Sequence, residues 1–282
     1  RALAINVLEE QTCNGHTVFP KTMLVEEINK LPLDPECQIT EDIIDVLMDF
    51  LEEEFKIIKC ANGEDAFQLN RLFNIDAFIR GELQKRMKLN RYEIKEEWDK
   101  ILNTHPKVLE QEKQEFAERE RIASLKELAA SPFSVLIGGA GTGKTTLIKD
   151  LCLSPDINNA GILVLAPTGK ARVRIAEKLK NTPSEPKINY EAKTVAQFLV
   201  HNQRYDGKTK TYLMTGQAVD NVPGTVVIDE SSMLTEEMIG AVLEAVKSAS
   251  RIILVGDPNQ LPPIGAGRPF VDIVNYLSTE LP

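Results

Sequence analysis

The stretch that decides the fold is "FSVLIGGAGTGKTTLIKD", residues 133–150. An apolar run ends in a glycine-rich loop, and a helix-forming segment follows at once. The loop fits the pattern G-x-x-x-x-G-K-[ST], in which backbone N–H groups and a helix start surround phosphate oxygens. A glycine-rich turn without a ligand is the weaker interpretation, because a strand precedes the loop and a Lys-Thr pair closes it. The expected nucleotide-binding residues are Gly138, Gly139, Ala140, Gly141, Thr142, Gly143, Lys144, Thr145 and Thr146.

Four side chains in two motifs supply the expected chemistry. In the first loop, we expect the Lys144 ammonium to reach the β- and γ-phosphates and the Thr145 hydroxyl to ligate Mg²⁺. A second apolar strand ends in "IDESSM" (residues 228–233), where Asp229 is placed to bind nucleotide-bound Mg²⁺ and Glu230 to act as general base on water. An acidic helix cap is the alternative for this second motif. Together the two motifs predict a Mg²⁺-dependent nucleoside triphosphatase.

A third polar loop, "LVGDPNQLPPIGAG" (residues 254–267), follows another apolar strand. The Gln260 side chain is both donor and acceptor, so it suits contact with a γ-phosphate oxygen and a neighbouring group at once. Such contacts change when the phosphate leaves, and we therefore expect Gln260 to bind nucleotide and act as a catalytic sensor. The alternative is a turn in which Asp257 and the prolines have only geometric roles.

A local basic region contrasts with the net charge of −9, since residues 166–210 hold ten basic and four acidic residues. "APTGKAR" (residues 166–172) offers hydroxyl, backbone and cationic groups at a helix start, which suits a phosphodiester. "HNQRYDGKTKTYL" (residues 201–213) predicts an exposed hairpin whose basic and aromatic side chains grip nucleic acid. A solvated helix face and a plain surface hairpin are the alternatives. The expected nucleic-acid contacts are Pro167, Thr168, Gly169, Lys170, Arg172, Thr194, Arg204 and Tyr205.

The C-terminal half has the pattern of an α/β domain. From residue 131 onward, four apolar runs alternate with helical patterns, which predicts a parallel sheet covered on both faces. We expect residues 131–282 to form this domain, with a small hairpin insertion near residues 201–219.

The N-terminal part follows a different pattern. Residues 1–70 predict three helices and then a hairpin with a type I′ turn at Asn62-Gly63, the order of a mostly helical, winged-helix-like domain. Residues 71–130 are expected to be a helical linker region, with helices over 72–105 and 107–130 whose charged faces are solvated.

Acidic charge is concentrated in this N-terminal part. Residues 1–130 hold 18 basic and 27 acidic residues, whereas residues 131–282 hold 15 of each. The third predicted helix has no basic residue, and phosphate backbones would repel it. We therefore expect the N-terminal domain to contact a protein partner or to be structural. The acidic residues of the third predicted helix are Glu41, Asp42, Asp45, Asp49, Glu52, Glu53 and Glu54.

The composition, with 43% hydrophobic and 27% charged residues, is typical of a globular soluble protein. No run approaches the roughly 18 apolar residues of a membrane helix, so no membrane association is expected. The four cysteines lack C-x-x-C spacing, which favours free thiols in a reducing compartment. We therefore expect a cytoplasmic protein.

Five motifs in order carry a family resemblance: "GGAGTGKTT", "LAPTGKAR", "AKT", "VVIDESSML" and "LVGDPNQLPPIGAG". They resemble helicase motifs I, Ia, Ib, II and III of superfamily 1, over about residues 131–275. The sequence is most similar to the RecD-like DNA helicases of superfamily 1B. This resemblance implies a RecA-like P-loop domain, ATP and Mg²⁺ as cofactors, and single-stranded DNA as partner. It further implies a DNA repair helicase that translocates 5′→3′.

The sequence departs from the family in two respects. The family has a Gln-x-x-Ala for adenine upstream of the phosphate loop. The best-aligned place here reads Glu120-Arg-Ile-Ala123, with Gln111 and Gln114 further upstream. The sequence also ends before motifs IV, V and VI. We therefore expect an N-terminal fragment with one of two motor domains, which does not unwind a duplex alone.

Two other functions fit the same motifs. The phosphate-contacting residues read a backbone and not a base, so an RNA helicase of the same superfamily is one alternative. An ATP-gated protein-interaction module, in which the acidic N-terminal domain docks a partner, is the other.

Overall fold

The computed structural model describes residues 1–34, 38–51, 54–60, 62–94, 98, 111–182 and 187–280. The chain begins with helix α1 (Ala2–Cys13), strand β1 (Phe19–Pro20) and helices α2 (Lys21–Asn29) and α3 (Glu41–Leu51). Strands β2 (Phe55–Lys59) and β3 (Asp65–Leu69) complete an antiparallel sheet in the order β1-β3-β2. The sequence did not predict β1, which is two residues long and pairs Phe19 with Phe67. The acidic residues Glu52 and Glu53 lie outside the described residues.

The predicted hairpin of β2 and β3 is confirmed, but its turn is not type I′. Cys60 accepts a hydrogen bond from the N–H of Gly63 at 2.9 Å and donates its own N–H to the Glu64 carbonyl at 2.9 Å. Gly63 has a φ of +83°. The residues joined by these bonds, Cys60 and Glu64, are therefore separated by three residues, one more than a type I′ turn contains, and the glycine takes the left-handed position.

The region expected to be a solvated linker instead packs into the molecule. Helix α4 (Asn70–Met87) follows β3 directly, and helix α5 is Gln111–Ala130. The predicted helix over 72–105 is therefore too long. The chain leaves it at Met87, and the Tyr92 N–H donates to the Ala130 carbonyl at 2.8 Å. Pro106 lies outside the described residues.

One buried charge fixes α4 to the C-terminal half. Arg86 is 3% exposed and donates to Glu82 at 2.9 Å. Its guanidinium also donates to the carbonyls of Pro132 at 3.2 Å, Lys247 at 2.9 Å and Ala249 at 3.2 Å. A buried guanidinium is stable only when its donors are paired. The charged face predicted to be solvated therefore contains a structural anchor.

The C-terminal half alternates strands with helices. Its strands are β4 (Phe133–Ile137), β5 (Ile162–Ala166), β6 (Tyr190–Thr194), β7 (Tyr205–Asp206), β8 (Thr211–Tyr212), β9 (Thr225–Ile228) and β10 (Arg251–Gly256). Its helices are α6 (Lys144–Leu151), α7 (Pro155–Asn159), α8 (Gly169–Lys180), α9 (Val195–His201), α10 (Glu236–Ala245) and α11 (Pro269–Glu280). Within the described ranges, none of these helices is both long and apolar enough to span a bilayer.

The predicted parallel sheet is confirmed, with five strands in the order β4-β10-β9-β5-β6. Every residue of β5, β9 and β10 is buried. The sequence missed β6 because this edge strand, "YEAKT", is polar and partly exposed. The register aligns Ile137 with Gly256 and Leu254 with Ile228, so the ends of β4, β10 and β9 meet at one edge. This is the RecA-like arrangement of a P-loop domain.

The sheet separates two apolar clusters. Ile253 and Val255 of β10 face one cluster, with α5, α6 and α8. Ile252 and Leu254 face the other, which continues without a break into the N-terminal helices and sheet. At this junction a side-chain carbon on Gly240 would lie 2.6 Å from Ile75, so α4 and α10 approach as closely as a glycine permits.

A buried carboxyl group lies beside the same junction. Glu236 is 7% exposed and lines a cavity of about 350 Å³ between α4, α11 and the N-terminal sheet. Burial, and then the charges of Asp76 and Asp272, raise the pKa of Glu236 from 4.5 to about 8. Folding therefore retains a proton that the unfolded chain releases above pH 4.5.

We predict that the free energy of unfolding falls as pH rises from about 5 through 8, because the folded protein keeps the Glu236 proton over this range and the unfolded chain does not. Glu236→Gln should remove most of that fall, on the order of 3 kcal/mol in the free energy of unfolding between pH 6 and pH 8.5. Urea denaturation at both pH values measures it. The control is Glu26→Gln, which changes an exposed glutamate of α2. Equal pH slopes for the wild type and Glu236→Gln would contradict the prediction.

Candidate nucleotide and nucleic-acid site

The glycine-rich loop connects β4 to α6 at the carboxyl edge of the sheet. Gly141 and Gly143 have φ values of +79° and +90°, which favour glycine. A side-chain carbon on Gly138 would lie 2.7 Å from the Thr142 hydroxyl oxygen. The loop therefore requires glycine, and its backbone forms a cradle of the type that surrounds phosphate oxygens in nucleotide-binding proteins.

The Lys144 side chain folds back over this loop. Its ammonium donates to the carbonyl oxygens of Gly138 and Gly139, the latter at 2.8 Å. The Thr142 hydroxyl donates to the same Gly139 carbonyl at 2.9 Å. These contacts hold the lysine charge at the mouth of the cradle, beside the first turn of α6 that contains Thr145 and Thr146.

Asp229 directly follows β9, which lies two strands from β4 and its phosphate loop. The residue is 2% exposed, and its Oδ1 accepts the N–H of Glu230 at 3.0 Å. Its Oδ2 is buried without a hydrogen bond, and the nearest cation, Arg174, is 3.9 Å away. Burial, and then the Glu230 charge, raise the pKa of Asp229, which Arg174 and Lys144 oppose. A buried carboxylate oxygen without a donor fits a hard divalent cation such as Mg²⁺.

Glu230 has an unusual backbone and a specific partner. Its φ of 52° and ψ of 39° are left-handed, a conformation that costs a non-glycine residue about 1 kcal/mol. The conformation turns the carboxylate toward α8, where Oε1 accepts a hydrogen bond from Arg174 Nη2 at 2.6 Å. The predicted general base is therefore paired with a cation.

The third loop follows β10, the strand that lies between β4 and β9 in the sheet. The Gly138 N–H donates to the Gly256 carbonyl at 3.2 Å, which ties this loop to the phosphate loop. The Asp257 carboxylate accepts the N–H of Asn259 at 3.0 Å and shapes the turn. The Gln260 side chain is exposed, and the tip beyond it presents Ile264 at 99% exposure.

Two of the segments predicted to contact nucleic acid lie at the carboxyl ends of β5 and β6, which are neighbours in the sheet. Ala166 at the end of β5 is in register with Thr194 at the end of β6. Thr168 caps α8 by accepting the Ala171 N–H at 3.2 Å, and Thr194 caps α9 by accepting the Gln197 N–H at 3.1 Å. Each hydroxyl keeps its own proton for a further acceptor.

The remaining groups of this surface differ in exposure. Gly169 and Lys170 are exposed, whereas Pro167 is half-buried. Arg172 is also half-buried, and its Nε is buried without a hydrogen bond. Lys170 is therefore the most accessible cation of the first turn of α8.

The hairpin of β7 and β8 exposes one of its two predicted nucleic-acid contacts, Tyr205, and buries the other, Arg204. Tyr205 is 36% exposed and its ring centroid lies 5.2 Å from that of Tyr212. Arg204, however, is 2% exposed, paired with the buried Glu244, and donates to the Gln217 carbonyl. The prediction that Arg204 contacts nucleic acid is wrong, because its charge is neutralised inside the base of the hairpin.

A family model described as AAA domain matches residues 120–266, just over half of the 282 residues. The chain belongs to the AAA domain family. The matched segment of this AAA domain contains the phosphate loop, Asp229, Glu230 and Gln260.

Curated proteins that are similar to this AAA domain include RecD-like helicases. An uncharacterized protein of Methanocaldococcus jannaschii is 30% identical over 310 aligned residues, which cover 100% of the chain and 26% of that protein. The RecBCD enzyme subunit RecD of Mycobacterium tuberculosis is 33% identical over 174 residues, 58% of the chain and 30% of that protein. The ATP-dependent RecD2 DNA helicase of Deinococcus radiodurans is 31% identical over 160 residues, 57% of the chain and 20% of that protein. The chain thus spans a fifth to a third of these relatives' length.

The adenine contact stays a prediction, because Glu120 and Ala123 are exposed on α5 and the side chains of Gln111 and Gln114 lie outside those described. The sequence does not predict the pairing of Arg174 with Glu230, which are 56 positions apart. No local pattern could link them, because the contact depends on how α8 packs beside β9.

The AAA domain should depend on Arg204 for stability. Arg204→Ala leaves Glu244, 4% exposed, without its cation, and should lower the free energy of unfolding by about 3–5 kcal/mol. Lys208→Ala, an exposed change in the same hairpin, should shift it by less than about 0.5 kcal/mol. Chemical denaturation measures both. An Arg204→Ala protein of unchanged stability but weakened nucleic-acid binding would instead show that Arg204 contacts nucleic acid.

Proposed function

We propose that this chain is the nucleotide-hydrolysing part of a DNA helicase that translocates 5′→3′ on single-stranded DNA. The observation that carries the proposal is the shared edge of the sheet. The ends of β4, β10 and β9 bring Lys144, Gln260 and the Asp229–Glu230 pair to one side. The ends of β5 and β6 extend the same edge with hydroxyl and cationic groups.

In this proposal Lys144 binds the β- and γ-phosphates of ATP within the glycine cradle. Thr145 and Asp229 would hold Mg²⁺, which supplies neutralisation of phosphate charge when bound. Glu230 accepts a proton from water, whose oxygen bonds to the γ-phosphorus as the bond to the ADP oxygen breaks. The products are ADP and inorganic phosphate.

The strand-binding surface is proposed to run across the starts of α8 and α9. Lys170 and the Thr168 and Thr194 hydroxyls contact the phosphodiester backbone, and Arg172 adds charge. Pro167, Gly169 and Tyr205 complete the surface, with Tyr205 offering a ring for a base to stack on. DNA rather than RNA is favoured by the printed name of the Deinococcus relative, a DNA helicase.

The domain organisation is part of the proposal. Residues 1–70 form a winged-helix-like domain, supported by the order α1, β1, α2, α3 and hairpin. Residues 71–130 join it to a motor domain over 131–282, with a hairpin insertion near 201–219. The acidic α3 is proposed to face a protein partner, because DNA would be repelled.

The phosphate site is tested by two substitutions with separable effects. Lys144→Ala should weaken MgATP binding by about 10- to 100-fold, the equivalent of ~1.5–3 kcal/mol for a hydrogen bond to a charged group. Glu230→Gln should bind MgATP normally and slow turnover by about 10²- to 10⁴-fold in the full-length protein. Calorimetry and phosphate release measure these. Normal hydrolysis by Glu230→Gln would refute the assignment of the base.

The sensor role is tested separately at Gln260. Gln260→Ala should keep MgATP affinity within about 3-fold, because Lys144 and the loop supply most phosphate contacts. In the full-length protein it should lose most of the stimulation of hydrolysis by single-stranded DNA. Asn259→Ala, a neighbouring change in the same turn, is the control. Undiminished stimulation in Gln260→Ala would show that the loop is only a turn. Parallel titrations with RNA of the same sequence decide between the two nucleic acids.

A further inference from the structure

The cavity between the N-terminal sheet, α4 and α11 has the size of a small-molecule site. Its volume is about 350 Å³, and none of the described residues that line it belongs to the phosphate loop or to the proposed strand-binding surface. Ile58, Ile79, Leu83 and Ile273 form apolar walls. Ligand cavities begin at roughly 300 Å³ and combine such walls with a few polar groups. The cavity therefore has room for a small ligand with an apolar part.

Two buried polar side chains line this cavity without a partner. Gln68 of β3 is 5% exposed, and Glu236 of α10 is 7% exposed. Within the described part of the chain, neither side chain takes part in a hydrogen bond or an ion pair. A buried polar group normally has a hydrogen-bond partner, because losing water without replacement is costly. The two side chains together indicate that something else supplies their partner.

The lining also has an excess of acidic charge. Asp76 is paired with Arg80, whose Nε donates to Asp76 Oδ2 at 2.9 Å. Glu236 and Asp272 form no ion pair with a cation of the described residues. Burial raises the pKa of both carboxyl groups, that of Glu236 to about 8. A ligand that offers positive charge and N–H donors would stabilise both carboxylates.

An organic cation suits this lining better than a metal ion. In the part of the chain that the structure describes, no three His, Cys, Asp or Glu side chains are grouped so as to hold a metal ion. An ammonium group instead has three donors and no acceptor, and the lining offers it acceptors on Glu236, Gln68 and Asp272. The alkyl stem of an amine packs on apolar walls while its charged end binds polar groups.

We propose that this cavity binds an ammonium group on a short alkyl stem, supplied by a free small diamine or by a lysine side chain. The ammonium group donates to Glu236 and Gln68, and the stem packs against Ile79 and Leu83. The exposed Asp272 attracts the cation to the cavity. No covalent bond changes. The proposal goes beyond nucleotide hydrolysis and does not depend on it.

The test measures amine binding to the full-length protein by calorimetry at pH 8, without nucleotide. n-Butylamine should bind at least about 10-fold more tightly than 1-butanol, which has the same stem and no charge. Glu236→Gln should weaken n-butylamine binding by about 10- to 100-fold, the loss expected for a charge-assisted hydrogen bond. The control Glu26→Gln makes the same chemical change on an exposed part of α2 and should leave binding unchanged.

The pH dependence of binding gives a second readout. The free protein keeps the Glu236 proton up to about pH 8, so an ammonium group must displace that proton. The charges that act on Glu236 are those of Arg71, Asp76 and Arg80 on α4 and Asp272 on α11. An alkyl amine stays charged over this range, because its pKa is about 10. Affinity should therefore rise by about 10- to 50-fold from pH 6 to pH 8, and Glu236→Gln should abolish the rise.

A variant at Gln68 separates ligand binding from folding. Gln68→Leu removes the amide and keeps a side chain of similar size. It should weaken n-butylamine binding by about 3- to 10-fold, because one acceptor of the ammonium group is lost. Its thermal stability should equal or exceed that of the wild type, since a buried group without a partner is replaced by an apolar one. Thermal denaturation of every variant identifies any loss of folding.

Two further ligands identify the source of the ammonium group. Tighter binding of 1,4-diaminobutane than of Nα-acetyl-lysine methylamide supports a free diamine, and the reverse order supports a lysine side chain. Equal binding of n-butylamine and 1-butanol would overturn the proposal, as would a folded Glu236→Gln protein with unchanged affinity and pH dependence. The cavity then holds water only. Neither result bears on ATP hydrolysis, which is measured separately.

Discussion

Burial of the parallel sheet on both faces is the constraint on which the rest of the structure depends. β5, β9 and β10 expose no residue, so their side chains are apolar except for Thr225 and Arg251 at the strand starts, and their backbone groups must pair within the sheet. Polar chemistry is then restricted to the points where strands end. Since the strands are parallel, those points share one edge, and the phosphate loop, Asp229 and the loop that contains Gln260 all begin there without any long-range sequence signal.

This edge has two sectors that meet at one boundary. The groups proposed to bind nucleotide follow β4, β10 and β9, whereas two capping threonines and an exposed lysine lie at and after the ends of β5 and β6. β9 and β5 are neighbours, so the boundary falls between Glu230 and α8. Arg174 of α8 donates a hydrogen bond to Glu230 across this boundary.

Features with a local cause could be predicted from the sequence. The phosphate loop, the Asp229–Glu230 motif and the hairpin of β2 and β3 follow from glycine, strand and turn patterns of a few residues. Features that depend on a distant partner could not. Arg204 resembles an exposed basic residue until Glu244, 40 positions away, is placed beside it. The polar strand β6 is likewise defined only by its neighbour β5.

The anchor formed by Arg86 has a mechanical consequence. Its guanidinium binds carbonyls just before β4 and β10, at the opposite end of the strands from the phosphate loop and Gln260. The close-packed strands β4 and β10 rigidly connect the Arg86 contacts at one end of the sheet to the two loops at the other. A force applied to the N-terminal helices is therefore transmitted directly to β4 and β10, the strands that precede the phosphate loop and the loop of Gln260. The N-terminal helices are thus held to the sheet by side-chain hydrogen bonds and not only by the covalent chain.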